Sequence, residues 1–359
     1  MSARAAAVLV VLLLMLGGGA LLYQRQDAER RPADLGELGQ PVIKNLKAAD
    51  IAAIRIAAPG STLTLQRNDA GWGIAERDGF PADASKVREL VLDAIALKIG
   101  QTLAVGEKER PRLGLDTASA TQVAFTAADG KTLAGLLVGK KYFKRGTDTP
   151  DKAPGDGRYV MLPSDTKTAF VVSNPLVQAS TRTADWIDRT AFQVEKVKSL
   201  ELRRPDGSGW RIERAADNAD WKLAGAKAGE KLDVSRANAA SYSLSLLELA
   251  DVAPKGAADT GLEQPTVIDA VTLDGLAYEI KVGKLEGGSY YVSFQSSGEL
   301  RKDAAGDKER AERLKKIEER LPREKILSEH VLLIPKSKLD DTLKKREELL
   351  EKKDAAAKK

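Results

Sequence analysis

The feature that most constrains the fold of this chain is an internal duplication. Residues 51–75 and 197–224 both read as two alternating strands joined by a turn with proline and glycine, followed by a third strand with a tryptophan. Trp72 of the first copy corresponds to Trp221 of the second, 149 residues later. A recurring order of elements indicates a recurring structural unit. The sequence therefore predicts one domain that is present twice.

A helix is predicted at the same place in each copy. Asp83 and Asp233 precede apolar residues at helical spacing, and aspartate is a favoured N-cap. The predicted helices are Ala84–Ile99 and Val234–Leu249. Further matches follow along the chain: Gly114-Leu115 with Gly261-Leu262, Gly139-Lys140 with Gly283-Lys284, and Tyr159-Val160 with Tyr291-Val292. The repeated glycines are expected to serve a positive φ or a close strand approach.

The strands alternate between apolar and polar residues, for example in Thr62–Gln66 and Thr121–Phe125. Such alternation is typical of antiparallel sheets with one face in water. The predicted fold class is therefore α+β, with an N-terminal transmembrane helix followed by two tandem repeats of an antiparallel-sheet-plus-helix domain.

The predicted transmembrane helix is Ala5–Tyr23, which contains no charged residue. Its length matches the hydrocarbon core of a bilayer, and it lacks the polar face of a soluble helix. The lipid bilayer is thus an expected partner. Gly18 and Ala20 form a weak cleavage pattern, but the apolar run is longer than a usual signal core, which favours a retained anchor.

The orientation of this helix has two interpretations. Arg4 before the apolar run gives the layout of an export signal. Three arginines soon after it, Arg25, Arg30 and Arg31, would instead keep the soluble part in the cytoplasm. Export is favoured, so the expected location is the inner (cytoplasmic) membrane, single-pass, with the soluble part periplasmic or extracytoplasmic.

The predicted organisation has five parts. They are a membrane anchor over residues 1–23, a linker over 24–44, repeat one over 45–192, repeat two over 193–351 and a disordered basic tail over 352–359. Repeat two carries a charged helical insertion at 302–324.

Composition excludes several kinds of chemistry. There is no cysteine, and His330 is the one histidine, so thiolate zinc sites, iron–sulfur clusters and histidine-rich metal sites are excluded. His330 begins an apolar run and is expected to be structural. Residues 301–359 hold 19 Lys or Arg and 14 Asp or Glu, which accounts for the whole net charge of +5. The signs alternate there, which indicates a solvated helix face and no nucleic-acid binding.

Three short motifs are candidates for a ligand-binding or catalytic site. Gly135–Lys140 resembles a phosphate loop, but it is one residue short and is not followed by a helix signal. Ser164 and Lys167 have serine–lysine spacing in a segment that reads as a turn. An acidic loop offers oxygen ligands for Ca²⁺ beside opposing basic residues, at Asp148, Asp151 and Asp156. No catalytic, cofactor-binding or metal-binding residue is predicted, and the protein is expected not to be an enzyme.

Two further features have two interpretations each. Trp72 and Trp221 are predicted to be core residues, whereas Trp210 has no counterpart in repeat one and is the candidate for stacking on a ligand at the surface. The C-terminal region has apolar residues at helical spacing, which pack on their own domain or dock a partner helix. Packing on their own domain is favoured. These residues are Ala311, Leu314, Ile317, Leu321, Leu339, Leu343, Leu349 and Leu350.

The order of weak motifs resembles that of the bacterial family known as domain of unknown function 4340, over about residues 45–350. The motifs are Asp50–Ile56, the Trp72 strand, the helix start at Phe80–Val87, the turn at Gly114–Asp116, Leu136–Lys141 and the strands within 158–173. Similar proteins often accompany a membrane ABC transporter and its gliding-motility-associated auxiliary subunit. The family has no established activity, so the resemblance identifies no functional residue.

The resemblance implies an accessory role at the envelope. The expected function is that of a non-enzymatic, single-pass envelope protein that serves as an accessory or scaffolding subunit of an ABC-type transport system, with the permease or auxiliary subunit as partner. The alternative is an envelope module that binds polysaccharide or peptidoglycan. A hydrolase is less favoured.

Overall fold

The computed structural model describes residues 37–69, 71–143, 156–301 and 308–351. The chain divides into two compact units. Unit one is Met1–Trp72 with Asp83–Asp185, and unit two is Gly73–Ala82 with Trp186–Lys359. Within the described residues the dominant structure is two antiparallel sheets.

The first sheet has nine strands in the order β4-β3-β2-β1-β6-β7-β8-β9-β5. Its strands are β1 Ala53–Ala58, β2 Ser61–Asn68, β3 Gly71–Ile74, β4 Phe80–Pro81, β5 Gln101–Ala104, β6 Thr121–Thr126, β7 Thr132–Tyr142, β8 Gly157–Leu162 and β9 Asp165–Val172.

The second sheet has eight strands in the order β12-β11-β10-β14-β15-β16-β17-β13. Its strands are β10 Val197–Arg203, β11 Gly209–Glu213, β12 Lys222–Leu223, β13 Asp251–Val252, β14 Thr266–Thr272, β15 Leu276–Glu286, β16 Ser289–Gly298 and β17 Leu332–Pro335. From β3 onward, the first order corresponds strand for strand to the second. The two sheets thus have the same topology, as a duplicated chain requires.

The described residues contain few helices. They are α1 Ala84–Ala96, α2 Arg110–Leu113, α3 Val234–Tyr242, α4 Lys308–Ser328 and α5 Lys336–Leu339, with short 3₁₀ turns at Ala48–Asp50, Ala75–Arg77, Thr183–Asp185, Ser243–Ser245 and Arg346–Leu349.

The predicted fold class is wrong. The described residues form mostly antiparallel sheet with few helices, rather than an α+β fold behind a transmembrane helix. The physical reason is that period-two alternation extends through most of each repeat, so that strands dominate it, while the one helix predicted to cover the sheet of each repeat is shorter than expected. The described ranges contain no helix that is both long enough and apolar enough to cross a membrane.

Several sequence predictions fall outside the described residues. They are the transmembrane helix Ala5–Tyr23, the basic tail at 352–359, most of the linker at 24–44, the start of the insertion at 302–307, and Asp148 and Asp151 of the acidic loop.

The two cap predictions are confirmed. Asp83 accepts a hydrogen bond from the backbone N–H of Ser85, and Asp233 accepts from those of Ser235 and Arg236. The burial classes of residues 81–100 recur at 231–250 with differences at only two positions, 89 against 239 and 100 against 250. Helices α1 and α3 therefore use equivalent faces to cover their sheets.

Both helices end earlier than the apolar spacing predicts. After α1, Val42 N donates to Leu97 O at 2.8 Å, and after α3, Leu249 N donates to Arg189 O at 2.7 Å. The residues predicted as the last helical turn are thus extended, and they pair with the segment that leads into the first long strand of their own sheet, β1 or β10. Spacing alone could not detect this because the pairing is between distant residues.

Each sheet has one buried face, as alternation predicts. In β10 and β14 the inward residues include Leu200, Leu202 and Ile268, all at 0% exposure. The other face of the second sheet carries cross-strand ion pairs such as Arg203 with Asp269. This face is therefore polar and open to water.

The C-terminal segment packs within unit two. Leu314, Ile317 and Leu327 of α4 are buried, and so are Leu339 and Leu349. Trp210 Nε1 donates to Lys344 O at 2.8 Å, which fastens the last residues to β11. The prediction that the apolar positions pack on their own domain is confirmed for Leu314, Ile317, Leu339 and Leu349, whereas Ala311 is exposed.

A close backbone contact recurs in both repeats. A Cβ built on Gly139 would lie 2.5 Å from Leu113 O, and one built on Gly283 would lie 2.2 Å from Thr260 O. Gly114 and Gly261, which form the other side of the contact, have φ angles of +69° and +73°. The prediction that these glycines serve positive φ or close strand approach is confirmed.

We expect Gly283→Ala to lower the free energy of unfolding by about 2–3 kcal/mol, because the new methyl group must displace a neighbouring backbone. Gly287→Ala is the matched control: its Cβ would meet nothing within 4 Å, but its φ is +57°. The control should cost about 1–2 kcal/mol, the cost of a left-handed residue. Urea unfolding measures both, and equal losses would contradict a steric role for Gly283.

Candidate functional site

A cleft of about 600 Å³ lies in unit two beside α3. This volume is in the range of small-molecule sites. Its walls come from the residues that lead into β10, from the segment after β11, and from α3 and α4. Its lining includes the polar side chains of Lys196, Arg214, Asp217, Asn238, Tyr242 and Arg313.

A buried tryptophan supports the side chains that line this cleft. Trp221 is 5% exposed, and the guanidinium carbon of Arg214 lies 4.6 Å from its ring centroid. Trp221 Nε1 donates to Asn238 Oδ1 at 2.9 Å. Arg214 is also held by the chain itself, since its Nε donates to Val197 O at 2.7 Å. The arginine and the amide therefore have fixed positions.

The charges in the cleft are paired. Lys196 and Arg214 both contact Asp217. Burial alone would raise the pKa of Asp217, but the hydrogen bond from Lys196 and the charges of Lys196, Arg214 and Arg313 together lower it below its ordinary value. Arg313 is bound in turn to the buried Asp274 at 3.1 Å. The cleft is thus polar but offers little excess charge.

The rim of the cleft carries an aromatic side chain. Tyr242, at the end of α3, is 63% exposed. The hydroxyl of Ser245 donates to Tyr242 O at 2.7 Å, and that of Ser241 donates to Asn238 O at 3.1 Å. These two serines bond to the helix backbone, whereas the ring of Tyr242 and the amide of Asn238 line the cleft from α3.

A second cleft of about 660 Å³ adjoins the first along α4 and shares three of its lining residues, Glu195, Lys196 and Arg313. The rest of its lining is mostly charged side chains of α4. The two clefts form one groove in unit two that is longer than a single small molecule needs.

The equivalent positions of repeat one carry different side chains. Counting from the capping aspartates, Arg88 stands where Asn238 does, Glu89 where Ala239 does and Leu92 where Tyr242 does. Glu89 is further occupied by a hydrogen bond from Gln178 Nε2 at 2.7 Å. The small and amide side chains of the cleft are therefore specific to repeat two.

Two buried carboxylates fasten α4. Asp274 and Glu324 are each 2% exposed. Tyr278 Oη donates to Glu324 Oε2 at 3.0 Å, and Arg320 Nε lies 3.1 Å from Glu324 Oε1. Burial raises the pKa of Glu324, and the charge of Arg320 only partly opposes this. Burial followed by the charge of Glu324 likewise raises the pKa of Tyr278.

Comparison with known families gives one match. The family described as Domain of unknown function (DUF4340) matches residues 72–265, which is more than half of the chain. The chain belongs to this family. No curated protein and no solved structure matches it significantly.

The DUF4340 match includes the cleft residues from Lys196 to Tyr242, whereas Arg313 and the rest of α4 lie outside it. The family prediction is confirmed, over a shorter range than the resemblance suggested. No single motif indicates the cleft, because its residues come from separate segments of the chain. A comparison of the two helices could have found it, because Asn238 and Tyr242 differ from their counterparts Arg88 and Leu92.

The tryptophan prediction is partly wrong. Trp221 is buried as expected, but Trp72 is only half-buried, with the Arg67 guanidinium 5.7 Å from its ring centroid. Trp210, the proposed surface residue, is 3% exposed. Its indole reaches a backbone carbonyl of the C-terminal segment, a partner too distant in sequence to be foreseen.

The phosphate-loop resemblance is not supported. Gly139-Lys140 and Gly283-Lys284 lie within β7 and β15, each at a shift in register. Among the described residues the next element after each of these strands is another strand, and none of them forms a helix N-terminus there to bind phosphate. Lys284 Nζ contacts Asp259 at 2.6 Å and Glu286 at 3.3 Å.

The other two sequence candidates, Ser164 and His330, lie at positions with a structural explanation. Ser164 lies in the turn between β8 and β9. His330 lies between α4 and β17, with its ring 5.1 Å from that of Phe80 in an edge-on contact, and burial lowers its pKa. Within the part of the chain that the structure describes, no group of three or more acidic or histidine side chains is placed to hold a metal ion.

Replacing the exposed lysines of the two glycine–lysine pairs should change stability little. We expect Lys140→Ala and Lys284→Ala each to alter the free energy of unfolding by less than about 0.5 kcal/mol, because exposed ion pairs contribute little. Thermal or urea unfolding measures this. A loss well above that value for Lys284→Ala would indicate that its pairs with Asp259 and Glu286 support the bulge.

Glu324 should make stability depend on pH. Its pKa is raised in the folded state, so folding takes up a proton in the range above the ordinary value of 4.5. Stability from this group is present at low pH and falls as pH rises through the folded pKa. Relative to Glu324→Gln, which does not ionise, the wild-type protein should therefore lose stability as pH rises above about 4.5 and through the raised pKa of Glu324.

Urea unfolding at several pH values tests this expectation. Glu319→Gln is the control, because Glu319 is on the same helix with a side chain that is 65% exposed. The control should leave the pH profile unchanged. Parallel profiles for wild type and Glu324→Gln would show that the buried carboxylate does not titrate in this range.

Proposed function

We propose that the protein is a non-enzymatic binding protein that serves as an accessory or scaffolding subunit beside an ABC-type transport system at the cell envelope. The proposal that the protein is not an enzyme rests on the roles of the residues that match between the two repeats. Asp83 and Asp233 cap helices, and Gly139 and Gly283 admit a neighbouring backbone. An active site needs a nucleophile, acid or base in a cleft, and no such pair is among these matched residues.

The carboxylates of the cleft also argue against hydrolysis. Asp217 is bound to Lys196 and Arg214, and its lowered pKa leaves it without a proton to donate near neutral pH. Glu195 accepts a hydrogen bond from Arg320 at 2.9 Å. Both acids are engaged by cations, an arrangement that supports a binding surface more than general acid–base chemistry.

The proposed association with a transporter and the proposed location at the envelope rest on family membership. Membership of DUF4340 supports them, because proteins that resemble this chain often accompany a membrane ABC transporter and its auxiliary subunit. The open, polar face of the second sheet, with pairs such as Arg203 with Asp269, offers a surface that a protein partner could cover.

A second candidate function is recognition of an envelope polysaccharide or peptidoglycan. The cleft of unit two favours it, because an exposed tyrosine and a fixed asparagine amide lie together there. The two functions are compatible, since an accessory subunit can hold a polymer near a transporter.

Co-purification tests the accessory role. The full-length chain, tagged and expressed from its native locus, is crosslinked in cells and purified from detergent-solubilised membranes. Mass spectrometry should identify an ABC-type permease and its ATPase subunit, enriched over a tagged, unrelated envelope protein. Lys284→Ala should retain both partners, because that lysine is assigned no binding role.

Recovery of the intact tagged chain without any ABC-type component would contradict the accessory role. Loss of the partners in Lys284→Ala, with unfolding unchanged, would instead direct attention to the glycine–lysine bulge as a functional site.

A further inference from the structure

The cleft beside α3 combines an exposed aromatic ring with prearranged hydrogen-bonding groups. Large aromatic side chains are generally buried, yet Tyr242 is 63% exposed at the rim. Asn238 uses Oδ1 to accept from Trp221, a bond that leaves its NH₂ group with two donors. Arg214 is held by Trp221, by Val197 O and by Asp217. Groups fixed before binding lose little entropy when a ligand arrives.

The charge pattern of the cleft disfavours an anion. Lys196 and Arg214 share Asp217, and Arg313 is bound to Asp274. Phosphate and carboxylate sites use cations that are available for charge-assisted hydrogen bonds. Here a negative ligand would have to compete with carboxylates that are already in place.

The backbone geometry disfavours an extended peptide. Peptides commonly bind by adding a strand to a free sheet edge. The cleft has no such edge: Val194 N donates to Leu244 O at 3.0 Å, and from Val197 onward β10 lies between β11 and β14. A ligand must therefore be recognised through side chains.

We infer that this groove binds a neutral oligosaccharide, with one sugar ring packed on Tyr242 and its hydroxyl or acetamido groups bonded to Asn238 and to the Arg214–Asp217 pair. The inference rests on the proposed binding function and gives it a site and a ligand class. A sugar ring has an apolar face for the tyrosine and many donors and acceptors for the paired charges. The adjoining cleft along α4 has room for further rings of the same chain.

Tryptophan fluorescence of the full-length chain tests the inference, because Trp221 supports the cleft. The probes are the tetramer of N-acetylglucosamine and the tetramer of glucose. Saturable binding of at least one is expected. Tyr242→Ala should weaken it about tenfold or more, the effect of losing an aromatic contact of about 1.4 kcal/mol.

Leu92→Ala is the matched control, at the equivalent helix position of repeat one and 53% exposed. It should bind like the wild type. Asn238→Asp keeps an acceptor for Trp221 but removes the NH₂ donors, and it should also weaken binding. Thermal unfolding confirms that each variant is folded.

Two results would overturn the inference: no saturable signal with either tetramer, or equal affinity in wild type and Tyr242→Ala. Binding of tetra-alanine that depends on Tyr242 in the absence of tetramer binding would assign the cleft to peptides and also overturn it. If the tetramers fail to bind while an ABC-type permease still co-purifies, the saccharide site is wrong and the accessory role stands. If they bind and no permease co-purifies, the accessory role is wrong and the site stands.

Discussion

The close approach of two backbone segments is the constraint on which each repeat depends. The turn that ends at Gly114 or Gly261 lies directly against Gly139 or Gly283, where any Cβ would overlap a carbonyl oxygen or come close to it. At the same point β7 and β15 shift register against β8 and β16. The contact thus joins the loop before one strand to the bulge of the next. The contact recurs because both copies need the same backbone path, even where their surface residues differ.

Around this common frame the two repeats have diverged through side chains on one helix. Helices α1 and α3 share their capping aspartates and almost all their burial classes. Their outer faces differ: Arg88 and Glu89 correspond to Asn238 and Ala239. Shorter side chains at these positions, together with α4, give repeat two its cleft. Folding positions are thus retained in both copies, while the outer face of the helix has changed and lines a cleft in repeat two.

Helix α4 shows how a charged segment is integrated into a sheet protein. Apolar residues such as Leu314 and Ile317 bury one stripe. At two separate points along the helix, a buried carboxylate links it to the sheet: Asp274 binds Arg313 of α4, and Glu324 of α4 accepts a hydrogen bond from Tyr278 of β15. A buried carboxylate is costly unless it is paired, so these contacts give α4 a definite register on its unit. The helix then supplies Arg313 to the cleft and lines the groove beside it.

The sequence by itself determined the features set by local chemistry and by comparison of the two copies. Aspartate caps, glycines at special backbone positions, alternating strands and the family followed from residue types in order. Other features depended on contacts between distant residues. Helix α1 stops at Ala96, and the 3₁₀ turn that follows α3 stops at Ser245, because the next residues pair with chain segments about 55–60 positions earlier. Trp210 is buried because the C-terminal segment covers it, and the cleft exists because segments near Lys196, Arg214, Asn238 and Arg313 meet. Such meetings are decided by long-range packing and hydrogen bonding, which no local pattern in the chain encodes.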